Sequence, residues 1–392
     1  MLQLGQVKNI YIDGLGLVDD HFSGIGQYIL GILRGMDKLI EYSKENTGSP
    51  LPKVRVVVPR DKVKKFRTFN LSNIEPKVFP MNYRYMSALW HRGKLPFIDL
   101  WCGRGTYIFP RFVRMSLAFS KSMLVIYDLS YEFFPEYSEP VNAAFLSKMV
   151  PRSIKKSQKI ITISQNARND ILSFYRVSPS NVIVATPGVD TELFYRRSPN
   201  EIEKVKRRYG ITKDYIITLS NLEPRKNLNT LVDVYCNLPA QYRENVSLLI
   251  VGVNGWKTDE LIQKIISKAE QGYNIIRPNS YVSDEDKPAL ISGAKMLVYP
   301  SHYEGFGMPP LEALACGVPV ITANNSSLPE VVGSAGKMVQ SNNGKALYKT
   351  IKEYLDNIDE LTTKAIIEGP KQAQKFSWVE SAKVFLEAAR NI

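Results

Sequence analysis

Short apolar runs rich in Val and Ile alternate along the chain with stretches of helical periodicity. Parallel strands that are buried on both faces read as continuous apolar runs, and strand–helix alternation is typical of α/β folds. The pattern therefore predicts parallel sheets covered by helices on both faces. The predicted strands are 8–13, 54–59, 123–128, 159–164, 181–186, 215–220, 247–252, 295–300 and 318–322. Predicted helices between them include 227–238, 258–269 and 283–292.

The alternation is interrupted near "TPGVDTELFYRRSPN" (186–200), which carries two prolines and a glycine. We place a domain boundary in this segment, which gives domains at 1–193 and 194–375. Each is expected to be Rossmann-like, and the two are expected to face one another across a cleft. The last segment, 376–392, is an amphipathic helix with Ser377 as its predicted N-cap.

Length and composition fit an ordinary globular protein. The chain has 392 residues, 44% hydrophobic and 23% charged, which is enough for two or three domains. Its three cysteines, Cys102, Cys236 and Cys316, are widely separated. This spacing argues against a disulfide framework and a metal site and favours a reducing compartment. The sequence shows no signal-peptide pattern and no apolar run of about 18 residues, so no spanning helix is expected.

The positive charge is concentrated in the first half of the chain. The net charge is +13, and residues 1–190 hold 26 basic and 15 acidic residues. Within this half, 51–121 contains 15 basic and 3 acidic residues, including the aromatic and basic stretch 81–97. Such a region favours an anionic partner: lipid headgroups, a lipid-pyrophosphate acceptor or nucleic acid. A solvated basic surface without a partner is the alternative.

The most informative stretch is "SHYEGFGMPPLEALACGVPV" (301–320), which carries Glu304 and Glu312 with seven residues between them. It follows a predicted strand, and ligands of parallel sheets bind at the carboxyl ends of strands. Pro309 and Pro310 suit the first positions of a helix. We therefore expect Glu304 in the loop and Glu312 in the first helical turn.

The glycine loop favours a ligand over a purely structural role for these carboxylates. Two glutamates near a helix N-terminus could simply interact with the helix dipole. That alternative leaves the Gly305-Phe306-Gly307 sequence unexplained, whereas glycines let a backbone approach a ligand and present its N–H groups. Carboxylates accept hydrogen bonds from vicinal hydroxyls, so a sugar or a ribose fits this site.

Two further loops carry candidate phosphate-binding groups. In "SNLEPRKNLNTL" (220–231), Arg225 and Lys226 follow a predicted strand, and Asn227 is a predicted helix cap. Two cations before a helix N-terminus favour a pyrophosphate, although a surface pair is the alternative. A glycine loop, Ser23-Gly24-Ile25-Gly26, lies between the first strand and a helix, but it does not match a strict dinucleotide-binding motif.

Together these motifs resemble glycosyltransferase family 4, a group of nucleotide-sugar transferases with the GT-B fold. The GT-B fold consists of two Rossmann-like α/β domains, so the resemblance agrees with the predicted fold class. It also implies that the last helix crosses back to the N-terminal domain. The resemblance rests on 301–333, 220–227, 251–256, 281–286, 127–138, 162–171 and 376–378.

The resemblance implies a role for each matching residue. Glu304 and the amides of 305–308 would hold the donor sugar, and Glu312 would bind the ribose. The cations at 225 and 226 would neutralise the leaving diphosphate. Tyr127 stands where the family often has His. The implied catalytic residues are Arg225, Lys226, Glu304 and Asp128. The implied donor-binding residues are Gly24, Ile25, Gly26, Tyr127, Tyr281, Val282, Gly305, Phe306, Gly307, Met308 and Glu312.

The resemblance therefore implies a retaining hexosyltransferase with a nucleoside diphosphate sugar as donor, GDP-mannose being the first expectation. The acceptor would be a glycan or a polyprenyl-diphosphate-linked glycan of a cell-surface polysaccharide. We expect no cofactor and no metal, because Asp284-Glu285-Asp286 is interpreted as a helix cap. We also expect a cytoplasmic protein that meets the anionic inner face of the membrane through 51–121 and binds no nucleic acid.

Several alternatives stay open on the sequence alone. The donor could be a UDP-sugar or another nucleotide sugar. A sugar-nucleotide epimerase or a phosphorylase could share the fold. The basic region could instead belong to a protein that binds nucleic acid or an anionic surface without transferase activity. A non-catalytic nucleotide-sugar sensor is the remaining alternative.

Overall fold

The chain divides into two compact units. A computed structural model describes residues 9–19, 23–46, 51–91, 97–278 and 280–392. Unit 1 consists of Met1–Gly188 and Ser377–Ile392, and unit 2 consists of Val189–Phe376. Each unit has its own parallel β-sheet.

The strands of both sheets are short and apolar. The described strands of unit 1 are β1 (Asn9–Asp13), β2 (Lys53–Pro59), β3 (Glu75–Phe79), β4 (Thr106–Phe109), β5 (Lys121–Val125), β6 (Lys159–Thr162) and β7 (Val182–Val184). Those of unit 2 are β8 (Asp214–Leu219), β9 (Val246–Val251), β10 (Ile275–Ile276), β11 (Met296–Tyr299), β12 (Val320–Ala323) and β13 (Lys337–Val339). Every residue of β4, β9, β11 and β12 is buried, as expected for parallel sheets covered on both faces.

Helices connect the strands. In the described chain they are α1 (Gly24–Asn46), α2 (Val63–Arg67), α3 (Tyr83–His91), α4 (Asp99–Cys102), α5 (Ser130–Phe133), α6 (Pro140–Lys156), α7 (Gln165–Tyr175), α8 (Pro199–Arg208), α9 (Leu228–Cys236), α10 (Ala240–Arg243), α11 (Asp259–Glu270), α12 (Lys287–Ser292), α13 (Met308–Ala315), α14 (Leu328–Val332), α15 (Gly344–Asp356), α16 (Ile358–Ala373) and α17 (Trp378–Arg390). Short 3-10 turns lie at Arg60–Lys62, Pro135–Tyr137, Pro179–Asn181 and Pro224–Lys226. Among these described helices, none combines the length and the apolar character needed to cross a membrane.

The predicted parallel α/β architecture is confirmed, and each predicted strand is present with ends shifted by a few residues. Four strands have no counterpart in the prediction. β3 reads EPKVF and lies at the edge of its sheet, so it lacks the continuous apolar signal of a central strand. β10 has two residues, β13 has three and β4 has four.

The last helix, α17, belongs to unit 1 and packs on α1. Tyr28 of α1 contacts Trp378 and Phe385 of α17, with ring centroids 5.6 and 6.3 Å apart. The predicted N-cap is confirmed, because the Ser377 hydroxyl accepts a hydrogen bond from the backbone N–H of Glu380. This contact makes the two chain ends parts of one core.

Each sheet has a topological switch point, where the strand order reverses. In unit 1 the order is β3-β2-β1-β4-β5-β6-β7, so the reversal lies between β1 and β4. In unit 2 the order is β10-β9-β8-β11-β12-β13, so it lies between β8 and β11. Open parallel sheets bind ligands in the crevice outside the carboxyl ends of the strands at this point.

Candidate functional site

Three predicted site residues meet at the switch point of unit 2. Arg225 and Lys226 follow β8, and Glu304 follows β11. Arg225 Nη1 lies 3.0 Å from Glu304 Oε2, and Lys226 Nζ lies 2.7 Å from Glu304 Oε1. Each carboxylate oxygen therefore accepts a hydrogen bond from a different cation. We call these three residues the ion cluster.

Further hydrogen bonds fix the two cations. Arg225 Nη1 also donates to the carbonyl of Tyr303 over 2.7 Å, and Lys226 Nζ donates to the Tyr299 hydroxyl over 3.0 Å. Glu223 Oε2 lies 3.6 Å from Arg225 Nη2. The cluster is thus anchored to both strands that border the switch point, and its geometry is preorganised.

The turn that carries the cations differs from the prediction at Asn227. This residue is not a side-chain helix cap, because it adopts a left-handed conformation with φ of 55° and makes no capping hydrogen bond. Its Nδ2 group instead donates to the carbonyls of Pro300 and Ser341. Asn227 tolerates a left-handed conformation better than most residues, and its side chain ties the turn to the end of β11.

The loop after β11 has a shape that depends on a glycine. Gly307 has φ of +120°, which L-residues rarely adopt. A Cβ atom there would lie 2.8 Å from Leu328. The Ser327 hydroxyl bridges the loop, at 2.8 Å from the Glu304 carbonyl oxygen and 2.7 Å from that of Phe306. The loop is therefore a rigid turn leading into α13.

The charges of the ion cluster are strongly coupled. Burial tends to raise the pKa of Glu304, but Lys226 and Arg225 overcome it and hold this pKa at about 2. Burial and the neighbouring Arg225 lower the pKa of Lys226, and Glu304 opposes that change. Burial also raises the pKa of Glu223, against the attraction of Arg225 and Lys226. Glu304 is thus the ionised carboxylate of the cluster.

A second group of predicted residues lies between α12 and α13. Glu312 is the fifth residue of α13, so its predicted place in the first turn is wrong; Pro309 and Pro310 do lie in that first turn. Its carboxyl is buried, and this burial raises its pKa to about 7, with Lys287 opposing and Asp284 adding to the rise. Lys287 in turn pairs with Asp284.

The residues predicted to contact the base precede this group. Tyr281 is 70% exposed, whereas Val282 is buried at 5%. The exposed Tyr281 ring offers a flat apolar surface, and Lys287 interacts electrostatically with both Tyr281 and Glu312. A nucleoside, with its planar base and its ribose hydroxyls, has matching chemistry.

The acidic run 284–286 is not a side-chain helix cap. α12 begins at Lys287, and no side chain of the run makes a capping hydrogen bond. The Asp286 carboxylate instead pairs with Arg208 and accepts a hydrogen bond from the Tyr209 hydroxyl. In the part of the chain that the structure describes, no group of three His, Cys, Asp or Glu side chains is arranged to hold a metal ion.

The predicted residues of unit 1 lie at the carboxyl ends of its central strands. Gly24, Ile25 and Gly26 form the first turn of α1, so the predicted glycine loop is part of a helix. A Cβ atom on Gly24 would meet no atom of the described residues within 4 Å.

The two predicted residues after β5 are held internally. Tyr127 is 7% exposed, and its hydroxyl donates to the Pro110 carbonyl over 2.8 Å. Its ring meets Tyr28 of α1 edge to face, with centroids 5.3 Å apart. Asp128 Oδ1 accepts hydrogen bonds from the backbone N–H and the hydroxyl of Ser130. Tyr127 is thus a packing residue of unit 1 in this structure.

Sequence reasoning missed several residues that build the site. They are Glu223, Tyr299, Ser326, Ser327, Asp284 and Lys287. Glu223 lies two residues before Arg225, so its position in the sequence indicated that it is close to the two cations. Tyr299 lies in a predicted strand and is the last residue of β11, and its contact with Lys226 depends on which two strands are neighbours. That neighbour relation cannot be read from local sequence.

Comparison with protein families places unit 2 in a known group. A family model described as glycosyl transferases group 1 matches residues 201–372. O-antigen chain mannosyltransferase B of Escherichia coli is 35% identical over 259 residues, which cover 66% of this chain and 67% of that protein. The serotype-specific mannosyltransferase WbdA of Escherichia coli is 28% identical over 242 residues, which cover 59% of this chain but 29% of that longer protein.

Solved structures share the fold of the whole chain. Anabaena HepE, solved in complex with UDP-glucose, aligns with a TM-score of 0.69 at 16% identity and covers 99% of this chain and 100% of its own. WaaG, a glycosyltransferase involved in lipopolysaccharide biosynthesis, aligns with a TM-score of 0.66 at 16% identity, covering 97% and 98%. These similarities confirm the predicted GT-B fold class.

Proposed function

The chain belongs to the glycosyl transferases group 1, and we propose that it transfers mannose from GDP-mannose to a cell-surface glycan with retention of anomeric configuration. The observation that carries the proposal is the ion cluster at the switch point of unit 2. A relative named as an O-antigen mannosyltransferase, 35% identical to this chain, supports the choice of sugar.

The ion cluster has the charge that a leaving diphosphate needs. Arg225 and Lys226 carry two positive charges, and Glu304 with its pKa at about 2 carries one negative charge. These three residues give the ion cluster a net positive charge, which attracts a diphosphate and stabilises the charge that develops on it.

Glu304 has a double role in this proposal. Its two oxygens already accept hydrogen bonds from the two cations, so it orients both. A carboxylate offers about four lone-pair sites, so each oxygen can accept one more hydrogen bond, from a sugar hydroxyl. Glu312, between α12 and α13, would accept hydrogen bonds from the ribose, with the exposed Tyr281 beside the base.

The reaction proposed is a same-face displacement. The bond between the anomeric carbon and the diphosphate oxygen breaks, and positive charge develops on the sugar. The acceptor hydroxyl oxygen bonds to the anomeric carbon on the face that the diphosphate leaves. Its proton passes to the departing phosphate oxygen. The protein's contribution is to stabilise the diphosphate and to hold the sugar, which requires no cofactor and no metal ion.

An exposed apolar cluster supports the proposed contact of unit 1 with an anionic membrane. Phe97, Leu100, Trp101 and Phe119 are 49%, 61%, 62% and 67% exposed. The Arg104 guanidinium lies 5.1 Å from the centre of the Phe119 ring. Exposed aromatic side chains interspersed with cations suit an interface of acyl chains and anionic headgroups. This cluster falls within the basic region 51–121.

Hydrogen bonds of Asp99 connect the two segments that carry the exposed apolar cluster. The buried Asp99 carboxylate accepts hydrogen bonds from the backbone N–H groups of Ala118, Phe119 and Ser120 at 2.8 to 2.9 Å. It thereby joins the segment 97–101 to the segment 116–120. Some of the basic residues of the predicted region, Arg92 and Lys94, lie outside the described residues.

The test of the proposed activity combines binding, transfer and stereochemistry. Thermal-shift measurements with GDP, UDP, ADP and dTDP identify the base, because a ligand that binds only the folded state raises its stability. Labelled GDP-mannose is then incubated with the protein and a membrane lipid fraction, and the anomeric configuration of the product is read by proton NMR. Stabilisation by GDP and a retained configuration are expected. A preference for UDP overturns the donor, and an inverted product overturns the mechanism.

A further inference from the structure

The switch point of unit 1 holds a charged pair of its own. Asp13 is the last residue of β1, and Arg111 follows β4, the neighbouring strand across the reversal. Asp13 Oδ2 lies 3.7 Å from Arg111 Nε. The Asp13 side chain is fully buried, whereas 12% of the Arg111 side chain reaches the surface. In unit 2 the cations follow β8 and the carboxylate follows β11. The unit 1 pair has the equivalent positions with the charges exchanged, because its carboxylate ends β1 and its cation follows β4.

Asp13 is placed to orient Arg111. Asp13 Oδ1 accepts a hydrogen bond from the backbone N–H of Leu15 over 3.0 Å, which fixes the carboxylate. Burial raises the pKa of Asp13, and Arg111 opposes this rise. A Cβ atom on Gly16 would lie 2.9 Å from Arg111 Cδ. The absence of a side chain at this glycine therefore leaves room for the Arg111 side chain beside the loop after β1.

One oxygen of the buried Asp13 carboxylate lacks a hydrogen bond from the described residues. Asp13 Oδ2 is buried and accepts no hydrogen bond from the described residues, and its distance to Arg111 exceeds a normal hydrogen bond. The backbone that carries the arginine is strained, since Phe112 has φ of +62°. Unusual backbone conformations of this kind cluster at ligand sites. A buried carboxylate, an arginine whose side chain is 12% exposed and a strained turn thus coincide at one switch point.

We propose that Arg111, oriented by Asp13, binds a substrate diphosphate at the switch point of unit 1. A guanidinium has five N–H donors and no acceptor, and its planar fork matches phosphate oxygens. Arg111 touches the ligand, and Asp13 is the positioning residue. This inference rests on the proposed function, which supplies two sources of a diphosphate: the nucleotide of the donor and a lipid-linked acceptor.

The experiment measures binding of two probes, GDP and farnesyl diphosphate, by isothermal titration calorimetry. Removing Arg111 alone would leave a buried carboxylate without its cation, which is strongly destabilising. The main variant is therefore Asp13→Asn with Arg111→Gln, compared with Asp13→Asn alone. Arg111→Lys keeps the charge and removes the fork, and it serves as a second variant. Thermal unfolding verifies that each variant is folded.

A matched control lies in the same sheet, towards the amino-terminal ends of β1 and β2. Arg55 of β2 is 25% exposed, donates to Asn9 over 2.8 Å and pairs with Glu75. Arg55→Gln should leave the affinity for both probes unchanged. The double variant should bind at least one probe about tenfold more weakly than Asp13→Asn does, as expected for a lost charged hydrogen bond. The probe that loses affinity identifies the source of the diphosphate.

The outcomes separate this inference from the proposed function. The role of Arg111 is overturned if two results occur together. The folded double variant binds both probes as tightly as Asp13→Asn does, and Arg111→Lys binds them as tightly as the unaltered protein does. If Lys226→Ala still weakens GDP binding in that case, the proposed function stands. If GDP fails to bind the unaltered protein, the proposed function falls, and the farnesyl diphosphate measurement alone decides the role of Arg111.

Discussion

Lys226 and Glu304 form a buried ion pair, with Nζ 2.7 Å from Oε1 and both side chains at most 10% exposed. Arg225 binds the other oxygen of the same carboxylate at 3.0 Å. A single carboxylate therefore holds two adjacent cations together in a largely buried part of unit 2. Removing this carboxylate charge would leave two like charges in near contact.

Glu304→Gln should destabilise unit 2 and depress transfer. Breaking a buried ion pair from one side costs about 3–5 kcal/mol, because the remaining charges are left uncompensated. Urea unfolding at neutral pH measures this loss. Glu244→Gln, at an exposed position, is the control and should change the free energy of unfolding by less than about 0.5 kcal/mol. An unfolding midpoint for Glu304→Gln equal to that of the control would contradict the coupling described here.

The Lys226–Glu304 ion pair should make the free energy of unfolding depend on pH in the acid range. The pKa of Glu304 is about 2 in the folded state, below the ordinary value of 4.5 for this side chain. The folded state therefore binds fewer protons than the unfolded state between these values, so this contribution is present above about pH 5 and is lost as the pH falls towards 2. Unfolding measured from pH 7 to pH 2 should show a smaller decline in Glu304→Gln than in the unaltered protein. Parallel declines would show that Glu304 titrates normally.

The ion cluster also shows what the sequence could and could not predict. Arg225, Lys226 and Glu304 were identified because each follows a strongly apolar strand, and because the resemblance covers their motifs. Their direct contact depends on β8 and β11 being neighbours, which is set by the reversal of strand order rather than by any local pattern. The contact of Tyr299 with Lys226 escaped prediction for the same reason.

Conformations of single residues were less predictable than strands. Asn227 was expected to cap a helix, but it lies in the left-handed region and hydrogen-bonds two distant carbonyls. Asp286 was expected in a capping run, but Arg208 and Tyr209 bind its carboxylate. In both cases the side chain binds a group distant in sequence instead of capping the adjacent helix. Such distant partners leave no periodic pattern in the sequence.

Glu312 should make nucleotide binding dependent on pH near neutrality. Its pKa is about 7 in the folded state, and the proposed ribose contact favours the ionised carboxylate, which accepts hydrogen bonds from hydroxyls. The affinity for GDP should therefore rise between about pH 6 and pH 8. Calorimetric titrations across this range measure the change. In Glu312→Gln the affinity should be lower and flat with pH; an equally steep profile in that variant would assign the titration to another group.

The raised pKa of Glu312 should also change the free energy of unfolding of the protein without ligand. Its dependence on pH is opposite in sign to that of Glu304. Because its folded pKa is raised from 4.5, the folded state binds more protons than the unfolded state between about pH 4.5 and 7, and stability from this group is lost as the pH rises through that window. Glu312→Gln should remove this loss. Free energies of unfolding at pH 5 and pH 8, compared between the two proteins, measure the difference.

Activity should persist in EDTA. Two of the three carboxylates of the acidic run already have cationic partners: Asp284 pairs with Lys287, and Asp286 pairs with Arg208. A divalent ion would have to displace these partners, whereas Arg225 and Lys226 can neutralise the diphosphate directly. Initial rates of mannosyl transfer are measured in excess EDTA and compared with the rates in added Mg²⁺. Loss of transfer that Mg²⁺ restores would show a metal requirement.

Binding to anionic vesicles should depend on Trp101. This side chain is 62% exposed beside Leu100, and an aromatic ring at a membrane surface contributes more than a small side chain. Trp101→Ala should reduce co-sedimentation with vesicles of anionic lipid at low salt, and binding should weaken as salt rises. Tyr42→Ala, also exposed at 61% but outside 51–121, is the control. Equal binding of both variants would exclude the apolar cluster as the contact.

The contact between α1 and α17 should be intolerant of a single methyl group. A Cβ atom on Gly31 would lie 2.4 to 2.6 Å from the ring of Trp378, and one on Gly35 would lie 2.3 Å from the Trp378 carbonyl oxygen. Overpacking of this kind costs about 1–3 kcal/mol, more than the roughly 1 kcal/mol that alanine gains over glycine in a helix. Gly31→Ala should therefore lower the thermal midpoint. Gly344→Ala, at the start of α15 with its nearest neighbour at 3.5 Å, should keep or raise it. A Gly31→Ala protein as stable as Gly344→Ala would mean that α17 is not held against α1 by this close approach.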